Sequence, residues 1–228
     1  MDLWAVVPIK ELERAKERLA PLLPPERRRA LMLTMLEDVL TALAATPGLA
    51  GLAVVTVDPA AGRLASKYGA RLIEAGARDG HTGAVTAAAM LLAEEGHAGM
   101  LTLPGDIPLV TPAEITSLMA AHRPAPAFTI APSRDELGSN AVVCSPPNAV
   151  PLRFGEDSFF PHLRAAEGCG IRPTVLRLPG IALDVDSPED LAAFTALRSP
   201  TLARAFLAQN GMLHVRKRAD APTGDHWG

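Results

Sequence analysis

Short apolar runs closed by proline, glycine or aspartate alternate along this chain with longer stretches in which apolar residues return every three or four positions. Runs of the first kind fall at 3–7, 52–57, 71–74, 101–103, 127–131, 141–144 and 174–178 and read as strands. Those of the second kind predict helices over 25–43, 60–68, 84–95, 159–167 and 201–209. In the first of these, Leu31, Met35, Leu36, Val39 and Leu43 form one apolar stripe. Two more helices announce themselves by their starts. Thr111-Pro-Ala-Glu114 and Ser187-Pro-Glu-Asp190 each place a hydroxyl at the N-cap, proline at the first helical position and an acid three residues on. Strands alternating with helices predict a three-layer α/β/α fold around a mostly parallel, Rossmann-like sheet with right-handed crossovers.

Such a sheet binds ligands beyond the carboxyl ends of its strands. The polar residues that leave those ends are therefore the candidates for chemistry. After the first strand come Pro8 and a charged segment carrying Lys10, Arg14, Lys16 and Arg18. Charge-rich segments also serve as solvated helix faces, and Glu13, Lys16 and Glu17 suit ordinary surface pairing. The run ending at Pro104-Gly105 delivers Asp106, which taken locally suits a turn somewhat better than a ligand. Late in the chain, Asp184 and Asp186 flank Val185, and in an extended segment they share one face. Gly76 to Gly83 forms a glycine-containing loop ahead of a helix, a setting in which backbone N–H groups can receive phosphate or a base edge. Its spacing matches neither a Walker A loop nor GxGxxG, so His81 and Thr82 read equally as ligands and as loop surface.

Composition narrows the setting. With 228 residues, 48% of them hydrophobic, the chain suffices for one substantial core. We expect one domain over 1–197, followed by a C-terminal helix and a mobile tail over 198–228. A formal net charge of −3 offers no footprint for nucleic acid, and no run of apolar residues is long enough to span a membrane, so a cytoplasmic protein is expected. Cys144 and Cys169 lack metal-ligand spacing and read as buried small hydrophobes.

Taken together, cations after strand one and carboxylates after two later strands suggest metal-assisted phosphate chemistry. Mg²⁺ needs only one or two protein carboxylates beside phosphate oxygens and waters. The chain also resembles the nucleotidyltransferases of the nucleotide-diphospho-sugar transferase (MobA-like) type, and within them the CofC/FbiD family. The resemblance rests on Val7-Pro-Ile-Lys10, Ala15-Lys-Glu-Arg-Leu19, Leu103-Pro-Gly-Asp-Ile-Pro-Leu109, Gly138-Ser-Asn140, Arg153-Phe-Gly-Glu-Asp-Ser158 and Leu183-Asp-Val-Asp-Ser-Pro-Glu-Asp-Leu191. It spans 3 to about 197.

Membership would imply a guanylyltransferase of coenzyme F420 biosynthesis. GTP and Mg²⁺ would bind at the strand ends, and the phosphate of 2-phospho-L-lactate, phosphoenolpyruvate or 3-phosphoglycerate would displace pyrophosphate. A downstream deazaflavin transferase would take the product. By the same resemblance Lys10, Lys16 and Arg18 serve catalysis. Pro8, Lys10, Lys16, Gly80, His81, Thr82 and Asp106 surround the nucleotide. Ser139, Asn140, Gly155 and Ser158 hold the acceptor, and Asp106, Asp186 and Asp184 hold the metal. The chain departs from the family pattern at Gly80-His-Thr-Gly83, where a Gly-Leu-Asn-like turn is usual, at Ser139 in place of threonine, and at Gly105 in place of alanine. A molybdenum-cofactor cytidylyl- or guanylyltransferase and a non-catalytic nucleotide-binding module are the competing readings. Many α/β enzymes of this size form C₂ homodimers, an assembly open to this chain, but the sequence does not fix its oligomeric state.

Overall fold

A computed structural model describes residues 2–155 and 157–213. Seven strands form one sheet in the order β3-β2-β1-β4-β6-β5-β7. They are β1 (Leu3–Pro8), β2 (Gly51–Val55), β3 (Arg71–Ile73), β4 (Gly99–Thr102), β5 (Ala127–Pro132), β6 (Ser139–Ser145) and β7 (Thr174–Val175). Pairing is parallel except at β6, which runs antiparallel to both β4 and β5. The late strand expected over 174–178 is cut to its first two residues, and Arg177 instead pairs with Glu136 at 2.5 Å.

The helices are α1 (Pro25–Ala44), α2 (Pro59–Lys67), α3 (Gly80–Glu94), α4 (Pro112–Ala121), α5 (Phe159–Gly168), the single turn α6 (Pro179–Ala182), α7 (Pro188–Ala196) and α8 (Leu202–Gln209). Both expected capping boxes form, Thr111 with Glu114 and Ser187 with Asp190. Alternating strand residues feed two cores, as the pleat dictates. Leu3, Ala5 and Val7 of β1 pack with α1, α2, α4, α7 and α8, whereas Val6 packs with α3 and α5 on the other face. The three layers of the expected α/β/α architecture are thus present.

The helix expected after residue 197 is α8, and it contributes fully buried Ala203 and Leu207 to the larger core. Asp38 of α1 fixes its start, accepting from the N–H groups of Leu202 and Ala203 at 2.7 and 2.9 Å. The tail expected from 215 onward lies outside the described residues. Cys144 is buried, but Cys169 follows the end of α5 and is exposed, because the apolar side of that helix is supplied by Phe159 and Ala166. Among the described residues no helix is long and apolar enough to cross a membrane.

β1 is the strand at which the topology turns. The chain leaves it toward β2 and β3 on one side and returns to β4 on the other. The crevice beyond the carboxyl ends of β1 and β4 is therefore where a ligand site should open.

Candidate active site

A cleft of about 800 Å³ opens at that crevice. Such a volume accommodates a nucleotide-sized ligand. Its lining draws on every stretch singled out in the sequence: Lys10 and Arg18 after β1, Gly80 to Thr82 at the start of α3, and Asp106 after β4. Ser139 and Asn140 on β6, Gly155 and Ser158 before α5, and Asp184 and Asp186 before α7 complete it. Pro8 and Lys16 are the two expected site residues that do not line it. Pro8 is the buried last residue of β1, and Lys16 lies behind the carboxylates.

The charged segment after β1 is not one solvated helix. It folds as two 3₁₀ turns, Leu12–Arg14 and Glu17–Leu19, because Leu12 and Leu19 must both reach the core. Asp58 holds the first turn by accepting from the Leu12 N–H at 3.0 Å while capping α2 through Ala60 and Ala61. Burial raises the pKa of Asp58, but these three N–H donors outweigh it and hold the carboxyl below its ordinary range. Between the turns Lys16 takes a left-handed conformation, φ +54°, which side chains other than glycine's seldom adopt. That twist sends the side chain inward, where it is 5% exposed.

Inside, Lys16 Nζ meets Asp106 Oδ2 at 2.5 Å and Asp186 Oδ1 at 3.3 Å. Burial opposes its charge, yet the two carboxylates more than compensate and raise its pKa. Asp186 also receives Arg18 Nη1 at 3.3 Å. The backbone joins the two acidic segments, the Val185 N–H donating to the Asp106 carbonyl at 3.0 Å. Val185 is fully buried while Asp184 and Asp186 face the cleft, as alternation in an extended segment requires.

Asn140, expected at the acceptor, spends its amide N–H groups elsewhere. Nδ2 donates to the Ile181 carbonyl at 2.9 Å and to Asp184 Oδ1 at 3.1 Å, so Asn140 orients Asp184. Burial, reinforced by the charge of Asp106, pushes the Asp184 carboxyl up. Asp106 Oδ1 is buried with no hydrogen-bond partner. A lone carboxylate oxygen there, beside a carboxyl that resists ionisation, suits an incoming cation. Among the described residues no three His, Cys, Asp or Glu side chains converge tightly enough to hold an ion by themselves. Asp106, Asp184 and Asp186 offer the carboxylate oxygens that Mg²⁺ takes alongside phosphate and water.

At the other wall, α3 begins at Gly80, four residues earlier than the glycines suggest. Gly83 is needed because the side chain of Asp79 lies across it: a Cβ at 83 would stand 2.3 Å from the Asp79 Cβ. His81 stacks on Phe154 with ring centroids 4.3 Å apart, and its Nε2 is buried without a partner. Burial, partly offset by Asp106 and reinforced by Lys10, lowers its pKa to about 4, so the ring is neutral. The Thr82 hydroxyl is occupied by the backbone of Phe154, accepting from its N–H at 2.9 Å.

Lys10 lines the cleft and makes no ion pair with any described residue. Three participants were not anticipated. Arg134 enters from the polar loop after β5 and pairs with Asp190 at 3.2 Å. Phe154 was visible within the Arg-Phe-Gly stretch without a role of its own. His162, inside α5, carried no signal in the sequence at all.

Comparison with known proteins agrees with this arrangement. The family described as "Guanylyl transferase CofC like" matches residues 3–222. A phosphoenolpyruvate guanylyltransferase of Rubrobacter xylanophilus is 41% identical over 199 residues, 86% of this chain and 95% of that one. A 3-phospho-D-glycerate guanylyltransferase of Colwellia psychrerythraea is 36% identical over 196 residues, 86% and 92% of the two chains. Among solved structures, a protein assigned to the nucleotide-diphospho-sugar transferases, from Desulfovibrio desulfuricans, superposes with a TM-score of 0.73 at 17% identity, over 93% of this chain and 97% of that one. The 4-diphosphocytidyl-2C-methyl-D-erythritol synthase of Anaerococcus prevotii gives 0.60 at 12% identity, over 91% and 96%. At such identities the structures establish the fold, and the sequence matches establish the kinship. A strand-end cleft with Lys10, Asp106 and the Asp184/Asp186 pair around it, on a chain matched almost end to end, belongs to the CofC-like guanylyl transferase family.

Proposed function

We propose that this enzyme transfers GMP from GTP to the phosphate of a small phosphorylated acid, phosphoenolpyruvate foremost, releasing pyrophosphate with Mg²⁺ as cofactor. The observation that carries the reading is the arrangement of Lys16, Asp106 and Asp186 at the strand ends, with one Asp106 oxygen left unpartnered. The names of the relatives favour a small phospho-acid over a molybdopterin acceptor. Coenzyme F420 biosynthesis, with a deazaflavin transferase as consumer of the product, is the setting this chemistry suits.

In the reaction a phosphate oxygen of the acceptor attacks the α-phosphorus of GTP, and the bond to the bridging oxygen of pyrophosphate breaks. Both reactants are anions, so the protein must hold them together against their repulsion and align the displacement. Lys10 and Arg18 line the cleft where the triphosphate would lie and offset charge there. Lys16 fixes Asp106 and Asp186, and these with Asp184 would hold the metal, which when bound neutralises phosphate charge and polarises the α-phosphoryl group. Gly155, Ser139 and Ser158 line the same cleft, the Ser139 N–H donating to Ser158 Oγ, and would suit the anionic groups of the acceptor.

Replacement of Asp106 by asparagine tests this directly. Magnesium-dependent pyrophosphate release should fall at least about 100-fold, the loss expected when a group that stabilises transition-state charge is removed, in a protein that thermal unfolding shows is still folded, though less stable because Lys16 loses a partner. Undiminished release by a folded Asp106→Asn protein would overturn the proposed metal site. A non-catalytic nucleotide-binding module would show no release to lose.

A further inference from the structure

His162 is 1% exposed and fixed on both of its ring nitrogens. The Arg153 N–H donates to Nε2 at 2.9 Å. An N–H can only donate, so Nε2 is the acceptor nitrogen and, in the neutral ring, the proton sits on Nδ1. Burial, with a further contribution from His81, lowers the ring's pKa to about 4 and keeps it neutral. Nδ1 lies 2.9 Å from Ser139 Oγ. Because Nδ1 carries the proton, Ser139 Oγ accepts this bond, and its own hydroxyl hydrogen is left to point elsewhere. Ser139 lines the cleft.

The same polarity is imposed on its neighbour. The Ser139 N–H donates to Ser158 Oγ at 3.0 Å, so that hydroxyl is also met by a donor. Ser158 is 4% exposed and lines the cleft too. Two serine hydroxyls are thus each supplied with a proton from the protein side. A hydroxyl that is already accepting is a better donor on its free side, since hydrogen bonds in a chain polarise one another. Two hydroxyls that line the cleft and are left free to donate suit an anion. Phe154 presses edge-on against the His162 ring with centroids 5.0 Å apart, which holds the imidazole plane in place.

We infer that His162 is a positioning residue that fixes Ser139 as a hydrogen-bond donor to the anionic group of the phospho-acid acceptor. The inference rests on the acceptor-site reading given above and assigns the direction of its hydrogen bonds. His162 touches no reacting atom and acts wholly through Ser139 and the Arg153 N–H.

Two substitutions separate the two nitrogens. In His162→Asn the amide nitrogen can stand near the position of Nδ1 and keep the donor to Ser139. In His162→Gln the amide oxygen can stand near Nε2 and keep the acceptor for Arg153, leaving Ser139 without a donor. Steady-state kinetics with phosphoenolpyruvate and GTP varied in turn, alongside thermal unfolding, compare both variants with Ser139→Ala. His162→Gln and Ser139→Ala should each raise the KM for phosphoenolpyruvate about tenfold with the KM for GTP unchanged. His162→Asn should stay within about threefold of the parent, and the His162→Gln/Ser139→Ala pair should be no worse than Ser139→Ala alone. A folded His162→Gln enzyme with unchanged acceptor KM, while Ser139→Ala raises it, would overturn the inference and leave the acceptor site standing. Equal effects of Asn and Gln would overturn it as well. An unchanged acceptor KM in Ser139→Ala would remove the acceptor-site reading and this inference with it.

Discussion

Lys16 and Asp106 are 90 residues apart in sequence and meet at 2.5 Å beneath the cleft floor. Asp186 approaches the same ammonium group from 170 residues along the chain. One buried cation therefore sets the spacing of two carboxylates, one from the turn after β4 and one from the segment before α7. Substituting methionine for Lys16 should leave Asp106 unpaired and Asp186 with Arg18 alone. The stability cost should be roughly 2–3 kcal/mol, below that of a fully buried pair because Asp186 is 40% exposed and remains partly hydrated. Chemical denaturation measures the cost. Turnover should fall more than about 100-fold as the acids separate.

Acid should unfold the enzyme through its histidines. His81 and His162 have folded pKa values lowered to about 4, against about 6.5 for the free side chain. The unfolded chain therefore binds more protons between these values, and stability falls as the pH drops from about 6.5 toward 4. Each ring should account for roughly 2–3 kcal/mol over that window. Denaturant unfolding at a series of pH values should show the slope, and His162→Asn should reduce it.

Two glycines near the cleft should respond in opposite ways to alanine. At Gly105 a Cβ would meet Ile9 Cδ1 at 2.4 Å, then Leu36 Cδ1 and Met32 Cε beyond 3 Å, all of them ends of flexible side chains that can yield. Gly105→Ala should cost no more than about 1 kcal/mol and keep turnover within about threefold. At Gly83 the obstacle is the Asp79 Cβ at 2.3 Å, which moves only with its backbone. Gly83→Ala should displace the turn that starts α3, cost about 1–3 kcal/mol and raise the KM for GTP. Melting curves and steady-state kinetics distinguish the two.

Asp38 supplies a control remote from the cleft. Its carboxylate accepts from both N–H groups at the start of α8, so Asp38→Ala should cost about 1–2 kcal/mol, in line with loss of a helix N-cap. Turnover measured below the melting transition should be unchanged.

The sequence was most informative where structure is local. The Thr111 and Ser187 capping boxes, the apolar stripe of α1 and the shared face of Asp184 and Asp186 all follow from spacing along a few residues. Even the placement of Lys10 and Asp106 at one edge follows, because parallel strands put successive strand ends together. The role of Lys16 could not be read the same way. Its charged neighbours looked like a solvated helix, and only the left-handed turn at this residue sends the side chain inward. Asn140 looked like a ligand, but the returning 181–184 segment takes both of its N–H groups. His162 was hidden for the same reason, since its two partners come from β6 and from the loop before α5. What escapes the sequence is polar closure between distant segments, which leaves no periodic trace.

The most direct measurement is acceptor-dependent pyrophosphate release from GTP and Mg²⁺ by the purified enzyme, with phosphoenolpyruvate, 2-phospho-L-lactate and 3-phosphoglycerate offered separately. Release should require both Mg²⁺ and an acceptor, be fastest with phosphoenolpyruvate, and be matched mole for mole by a guanylylated acid. Absence of release with all three acids, from folded enzyme that includes the full chain, would contradict the proposed function.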